Sequence, residues 1–306
     1  MNNVAMAQAV QAAAKPKFRG HDTLKSKVKT YHPAGLEREY TRVVNAYMAA
    51  LKAALSKHLP TIRRAIDAER EGFRRDSDSD VLALIESEFL KVHDDLNKKM
   101  SDEMLEIKTL NLSEMARDLK IREWKRLVHK TLGIDIFEDY YKGEFFRNAL
   151  QRWTTNNVNL IKTIPKNTLA SLMDIVREGY LSGASNATIG KGIKAAYDID
   201  YRHAQFIARD QIAKLNAEIT RTQQQDAGVE EYIWSSSGDG RVRDCHVELD
   251  GKKFKWSDPP EMWYLTKKGR VNTGERCHPG EWYQCRCVAL PVFNLPGLVL
   301  PWEKDD

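Results

Sequence analysis

A chain of 306 residues exceeds the size that one hydrophobic core usually serves, so two or three substructures are expected. Its apolar share of 42% suffices for packed cores, and a charged share of 30% suits long solvated helices. A net charge of +5 permits contact with nucleic acid without defining a nucleic-acid-binding class, and no apolar run reaches the roughly 18–20 residues that a membrane span needs.

Met1–Ala14 is rich in Ala and Gln and lacks a basic n-region, so it reads as a frayed arm rather than a signal peptide. Residues 1–35 as a whole read as a disordered or extended arm. Synthesis and residence in a reducing cytoplasm are expected. From Leu36 to about Phe73 the residues Val44, Tyr47, Met48, Leu51, Leu55, Leu59 and Ile62 recur at helical steps, with Pro60 predicting a kink or a break. Arg74–Asp80 is a polar connector and cap. Helical spacing continues over Val81–Leu105 and Ser113–Lys130, and Gly133 interrupts it before another helix from about Phe137 to Ile164.

Pro165-Lys166-Asn167 is expected to stop that helix and cap the next, in which Leu169, Leu172, Met173, Val176 and Tyr180 share a face until Ser182-Gly183. A short helix over Ala187–Tyr197 and a longer one over Arg202–Gln225 follow, with Gly228 placed to terminate the second. From Val229 the character changes. Glu231–Ser235, Lys252–Trp256 and Val288–Phe293 are strand candidates, and Thr266–Arg276, with Lys267, Lys268, Arg270 and Arg276 among glycines, reads as a mobile loop. Five of the seven tryptophans lie in this last quarter, where large aromatic surfaces substitute for scarce aliphatics.

The four cysteines, Cys245, Cys277, Cys285 and Cys287, all fall in the same stretch. Clustered thiols in a reducing compartment suggest metal more than disulfides. Cys245-His246 and His278 followed by Cys285-Arg286-Cys287 look like two halves of a structural zinc site, which takes four borderline or soft ligands in a tetrahedron. Neighbours on an extended strand point to opposite faces, so one of Cys245/His246 would join His278, Cys285 and Cys287. Two other readings stay open: a compact turn packed without metal, and a disulfide. His246-Val247-Glu248 with later paired cysteines also touches the zinc deaminase signature, but Gln284 replaces its Pro and the pair is Cys-x-Cys. A metal-dependent enzyme of deaminase or nuclease type, or a toxin-like effector, is therefore the alternative reading. No phosphate loop, nucleophile elbow or dinucleotide fingerprint is present.

Ile207-Ala208-Arg209-Asp210, then Asn216, Arg221, Gly228, Trp234, Asp239, Arg241, His246 and Leu249-Asp250-Gly251 form an ordered set, completed by His278-Pro279-Gly280-Glu281 and Cys285-Arg286-Cys287. In this order, over roughly Trp153 to Phe293, the chain resembles the Mu F-like phage head morphogenesis family. The resemblance implies a minor, non-enzymatic structural protein of the virion head. It would act in procapsid assembly at the portal vertex, with portal, major capsid or scaffold protein as partners, packaged DNA as a further contact, and no membrane. Arg209, Trp234, Asp239, Arg241, Asp250, Gly251, Pro279, Gly280 and Arg286 are its motif residues here. Arg286 is a candidate partner of Asp239 or Asp250.

The expected fold is mainly α: a long helical N-terminal body with a small α+β Cys/His-containing C-terminal domain. Its consecutive segments are the arm at 1–35, a helical region at 36–143, the helical part of the head morphogenesis domain at 144–228, and the small domain at 229–306.

Overall fold

The computed structural model describes residues 3–71, 78–136 and 144–300, and the fold is mainly α with a small α+β region toward the C-terminus. Among the described residues the elements run α1 (Asn3–Phe18), β1 (Thr23–Lys25), α2 (Ala34–Arg70), α3 (Asp78–Lys99), α4 (Asp102–Leu132), α5 (Glu144–Leu181) and α6 (Asn186–Asp226). Then follow β2 (Glu231–Ser235), α7 (Asp244–Leu249), β3 (Lys253–Lys255), β4 (Glu261–Thr266), β5 (Gly269–Arg276) and β6 (Val288–Asn294). They divide into two units. A sheet unit comprises Met1–Leu36, Ser113–Leu150 and Arg209–Asp306, and a helical unit comprises Glu37–Leu112 and Gln151–Ala208. Because α4, α5 and α6 each contribute to both, the units do not follow the consecutive segments expected from sequence.

In the helical unit, α2 runs through Pro60 without the expected break. Pro60 and Ser56 are both exposed, so the carbonyl that loses its intrahelical donor there faces water. Val44, Met48, Leu51, Leu55, Ile62 and Ile66 are buried along one stripe, and each such side chain contributes about 1.5–3 kcal/mol relative to exposure. The backbone of α5 likewise passes through Pro165-Lys166-Asn167, where a stop was expected. A continuous buried stripe of Ile161, Ile164, Thr168 and Leu172 outweighs the lost hydrogen bond. The helix ends where Gly183, at φ +70°, closes a Schellman motif: its N–H reaches the Tyr180 carbonyl at 3.0 Å, and that of Ala184 reaches Gly179 at 2.9 Å.

The interruption expected between Leu105 and Ser113 is absent, since α4 is continuous there. The break falls earlier, where Ser101 Oγ accepts the Met104 N–H at 3.3 Å and Asp102 and Glu103 occupy the positive first turn. The two helices expected from Ala187 to Gln225 are one, α6, capped by Ser185 Oγ on the Thr188 N–H at 3.2 Å. The connector expected at 74–80 lies mostly outside the described residues, and Asp78–Asp80 already belong to α3. The helix start near Phe137 also lies outside them.

In the sheet unit, the described residues of the expected arm at 1–35 carry a helix and a strand, α1 and β1. Val10, Ala14 and Phe18 recur every four residues along α1 and are buried, and β1 pairs with β6 with Leu24 opposite Phe293. The sheet order is β1-β6-β2-β3, antiparallel throughout, with Trp234 opposite Ala289 and Tyr232 opposite Pro291. The stretch Thr266–Arg276, expected as a mobile loop, closes a hairpin of β4 and β5. Thr266 Oγ1 donates to the Gly269 carbonyl at 2.9 Å and accepts the Lys268 N–H at 3.2 Å, while the Arg270 guanidinium lies 4.3 Å from the centre of the Trp263 ring. The rings of Trp124 and Phe293, 6.0 Å between centroids, tie α4 to β6.

Candidate functional site

The site grows from β2. Alternation along Glu231–Ser235 buries Tyr232 and Trp234 completely, and around them gather Leu249, Trp256, Met262, Cys285, Cys287 and Ala289. Cys245 and His246 do not lie on a strand, as the expected ligand choice assumed. They share one turn of α7, and both are buried. His246 packs against Trp234 and Trp282, with ring centroids 5.3 and 5.4 Å away. Its Nδ1 lies 3.4 Å from Cys287 Sγ and 3.6 Å from Cys285 Sγ, whereas Nε2 is buried without a hydrogen-bond partner.

Burial alone would lower the basicity of His246, but the sulfurs of Cys245 and Cys285 reverse the sign and its pKa is pushed up to about 9. Hydrogen bonding from Cys287 and His246 takes the Cys285 thiol well below its ordinary value. Its sulfur also accepts the backbone N–H groups of Gly280 at 3.3 Å and Cys287 at 3.4 Å.

His278, expected with the cysteines, is not in this group. Its Nδ1 meets the Tyr232 hydroxyl at 2.9 Å, and burial holds its pKa below the ordinary value. The cause is the turn that follows: Glu281 accepts the His278 backbone N–H at 2.7 Å, pairs with Arg221 on α6 at 3.5 Å, and fixes where the imidazole goes. Pro279 and Gly280 are buried beneath it. Gly280 has φ +88°, and a Cβ there would come within 2.9 Å of Ala217 Cβ and 3.3 Å of the Ala213 carbonyl, so the turn sits flush on α6. Cys277 is half-buried and packs at the edge of the core.

The remaining motif residues brace the same construction. Asp210 on α6 is buried, accepts the Gln284 backbone N–H at 2.9 Å and pairs with Lys214 at 2.7 Å. Arg209 beside it is half-buried. Asp239 accepts from Arg241 at 2.8 Å and lies 3.5 Å from Arg286, the pairing suggested as one of two from sequence; the Arg241 guanidinium holds the Asp239 carboxyl below its usual range. Asp250 accepts the Ser236 N–H at 2.7 Å instead. Gly251, at φ +74°, returns its N–H to the Trp234 carbonyl at 2.8 Å. Gly228, at φ +72°, closes the Schellman motif that ends α6, and a Cβ there would lie 1.9 Å from the Gly297 carbonyl oxygen.

Two contributors were not singled out from sequence. Tyr232 was legible as the residue sharing the buried face with Trp234. Trp282 donates to Glu275 at 2.7 Å and stacks under Arg243, contacts that no short-range pattern signals. Glu248, the carboxylate that a deaminase reading would put beside His246, is exposed and bonded to Lys252 at 3.4 Å and Arg270 at 3.3 Å. Among the described residues, His246, Cys285 and Cys287 form the group without a carboxylate.

The arrangement is that of a small aromatic and Cys/His core seated on the long helix α6. Residues 170–290 match the family model described as Phage Mu protein F like protein, so this segment is similar to the Mu F-like phage head morphogenesis family. An uncharacterized protein of Haemophilus influenzae is 32% identical over 162 residues, 53% of this chain and 33% of that relative. The chain thus spans about a third of the length of the curated relative that it matches. No solved structure matches it. No helix among the described residues is long and apolar enough to cross a membrane.

Proposed function

We propose that the protein is a structural, non-enzymatic component of a tailed-phage head that acts in assembly at the portal vertex. The observation that carries this reading is how the residues of the Mu F-like segment are used. Asp210, Arg221, Asp239, Gly280 and Glu281 are spent on bracing one another and the turn before β6. Trp234, Asp250, Gly251 and Arg286 also line a cleft of about 510 Å³, but it holds neither His246 nor any of the four cysteines. A module built this way presents a rigid surface, which suits a docking part better than a catalyst. Its partners in this reading are the portal protein first, and major capsid or scaffold protein next.

DNA contact ranks below protein contact in this reading. Of the cations in the hairpin that could meet phosphates, Arg270 is paired with Glu248 and Arg276 with Asp258. The test is co-expression of the full chain with the portal protein of the same phage, followed by affinity capture and cross-linking mass spectrometry. Stoichiometric capture with cross-links to the portal supports the reading. Clean separation of the two proteins at physiological salt, with both folded, would contradict it. Truncation of residues 1–143 is a poor substitute, because β1 and part of α4 belong to the sheet unit.

A further inference from the structure

We propose that His246, Cys285 and Cys287 hold a zinc ion that staples α7 to the turn before β6. Nδ1 of His246 and the two Sγ atoms all lie within 4.8 Å of one another, and the two nitrogen–sulfur separations are 3.4 and 3.6 Å. A tetrahedral zinc with bonds of about 2.3 Å to sulfur and 2.0 Å to nitrogen has nitrogen–sulfur edges of about 3.5 Å. The two nitrogen–sulfur edges therefore already have the length required among three of the four tetrahedral positions.

The surroundings suit a thiolate-rich metal better than a pair of neutral thiols. Backbone N–H groups of Gly280 and Cys287 already point at Cys285 Sγ, supplying the outer hydrogen bonds that zinc-bound sulfur takes up. His246 is 2% exposed and its Nε2 has no hydrogen-bond partner. Ligation through Nδ1 fixes the tautomer with the proton on Nε2, in a ring packed between Trp234 and Trp282. With two sulfurs, one imidazole and no carboxylate, the donor set selects zinc over magnesium or calcium. Cys277 and His278 lie outside the cage, the latter held by Tyr232.

The staple joins segments 39 residues apart in sequence, between which lies the β4–β5 hairpin. A small sheet with a largely aromatic core gains stability from such a closure, since the unfolded chain has no preformed site.

The test is zinc quantification on the full chain purified under reducing conditions from zinc-supplemented medium, with Cys285→Ser/Cys287→Ser and Cys277→Ser variants in parallel. About one zinc per chain is expected in the parent and in Cys277→Ser, falling at least tenfold in the double variant. Because loss of the ligands can unfold the double variant, the parent is also stripped with a chelator under reducing conditions. Its melting temperature is then expected to drop and to be restored by zinc but not by magnesium, and cobalt in place of zinc should show thiolate charge-transfer absorption. A parent chain without zinc overturns the proposal. So does zinc retained by the double variant, or lost equally in Cys277→Ser.

Discussion

The side chain of Asp210 accepts a hydrogen bond from the backbone N–H of Gln284, 74 residues later in the chain and 2.9 Å away. Gln284 has φ +57°, a left-handed conformation that costs a residue with a side chain roughly 1–2 kcal/mol. The contact holds the chain in that conformation immediately before Cys285. Asp210→Ala is therefore expected to destabilise the protein by about 1.5–3 kcal/mol, the range for a hydrogen bond to a charged group. Gln284→Gly is expected to be neutral or to stabilise by up to about 1 kcal/mol, since glycine adopts this φ freely. Thermal or urea unfolding of the two variants beside the parent checks both signs.

Gly280 and Gly251 both have positive φ but differ in their surroundings. Nothing lies within 4 Å of a Cβ built on Gly251, whereas one on Gly280 runs into Ala217 and the Ala213 carbonyl. Gly251→Ala should cost about 1 kcal/mol of backbone strain. Gly280→Ala should cost at least about 1–3 kcal/mol more, because the turn must lift from α6. Equal losses in the two variants would mean that the turn is not seated on the helix.

Arg221 and Glu281 lie 3.5 Å apart with both side chains more than a third exposed. A double-mutant cycle on this pair is expected to give a coupling below about 1 kcal/mol. Glu281→Gln should keep most of the stability, because its amide oxygen can still accept the His278 N–H, whereas Glu281→Ala should not.

In the helical unit, His58 sits between Glu88 at 2.8 Å and Asp95 at 3.0 Å, with Lys91 and Lys57 pairing the same carboxylates at 2.6 Å. Burial raises the Glu88 pKa, but hydrogen bonds from Lys91 and His58 outweigh it and the net shift is downward. Hydrogen bonds from Lys57 and His58 take Asp95 down to about 2. Carboxyls depressed in the folded chain stabilise it fully above their unfolded values and lose that contribution as pH falls through the folded ones. Stability should therefore decline between about pH 5 and pH 2, and the decline should be shallower in Glu88→Gln/Asp95→Asn. Identical acid profiles for parent and variant, measured by urea midpoints, would contradict the assignment.

Much of this was legible in the sequence where local pattern and tertiary packing agree. The stripe of α2, the strand at Glu231–Ser235 and the stop at Gly228 follow from spacing, alternation and a left-handed glycine. Pro60 and Pro165-Lys166-Asn167 misled because a buried stripe on both sides of a proline outweighs one missing hydrogen bond. In α1 the every-fourth spacing of Val10, Ala14 and Phe18 was present, but alanine buries too little surface to signal a core. The charges of Thr266–Arg276 hid a hairpin whose guanidinium lies over a tryptophan. At the site, the Cys/His types were visible. The choice of His246 over His278 was not, because it depends on a six-residue helix that brings no side-chain cap and on the Glu281 contact that directs His278 to Tyr232.

A role in head assembly is tested most directly by quantitative mass spectrometry of procapsids and filled heads from a phage or prophage that carries this gene, with and without the gene. The protein is expected in both particle types, at a fixed ratio to portal protein, with heads malformed or absent when the gene is deleted and restored on complementation. Normal heads in the deletion, with the protein missing from parental particles, would contradict it.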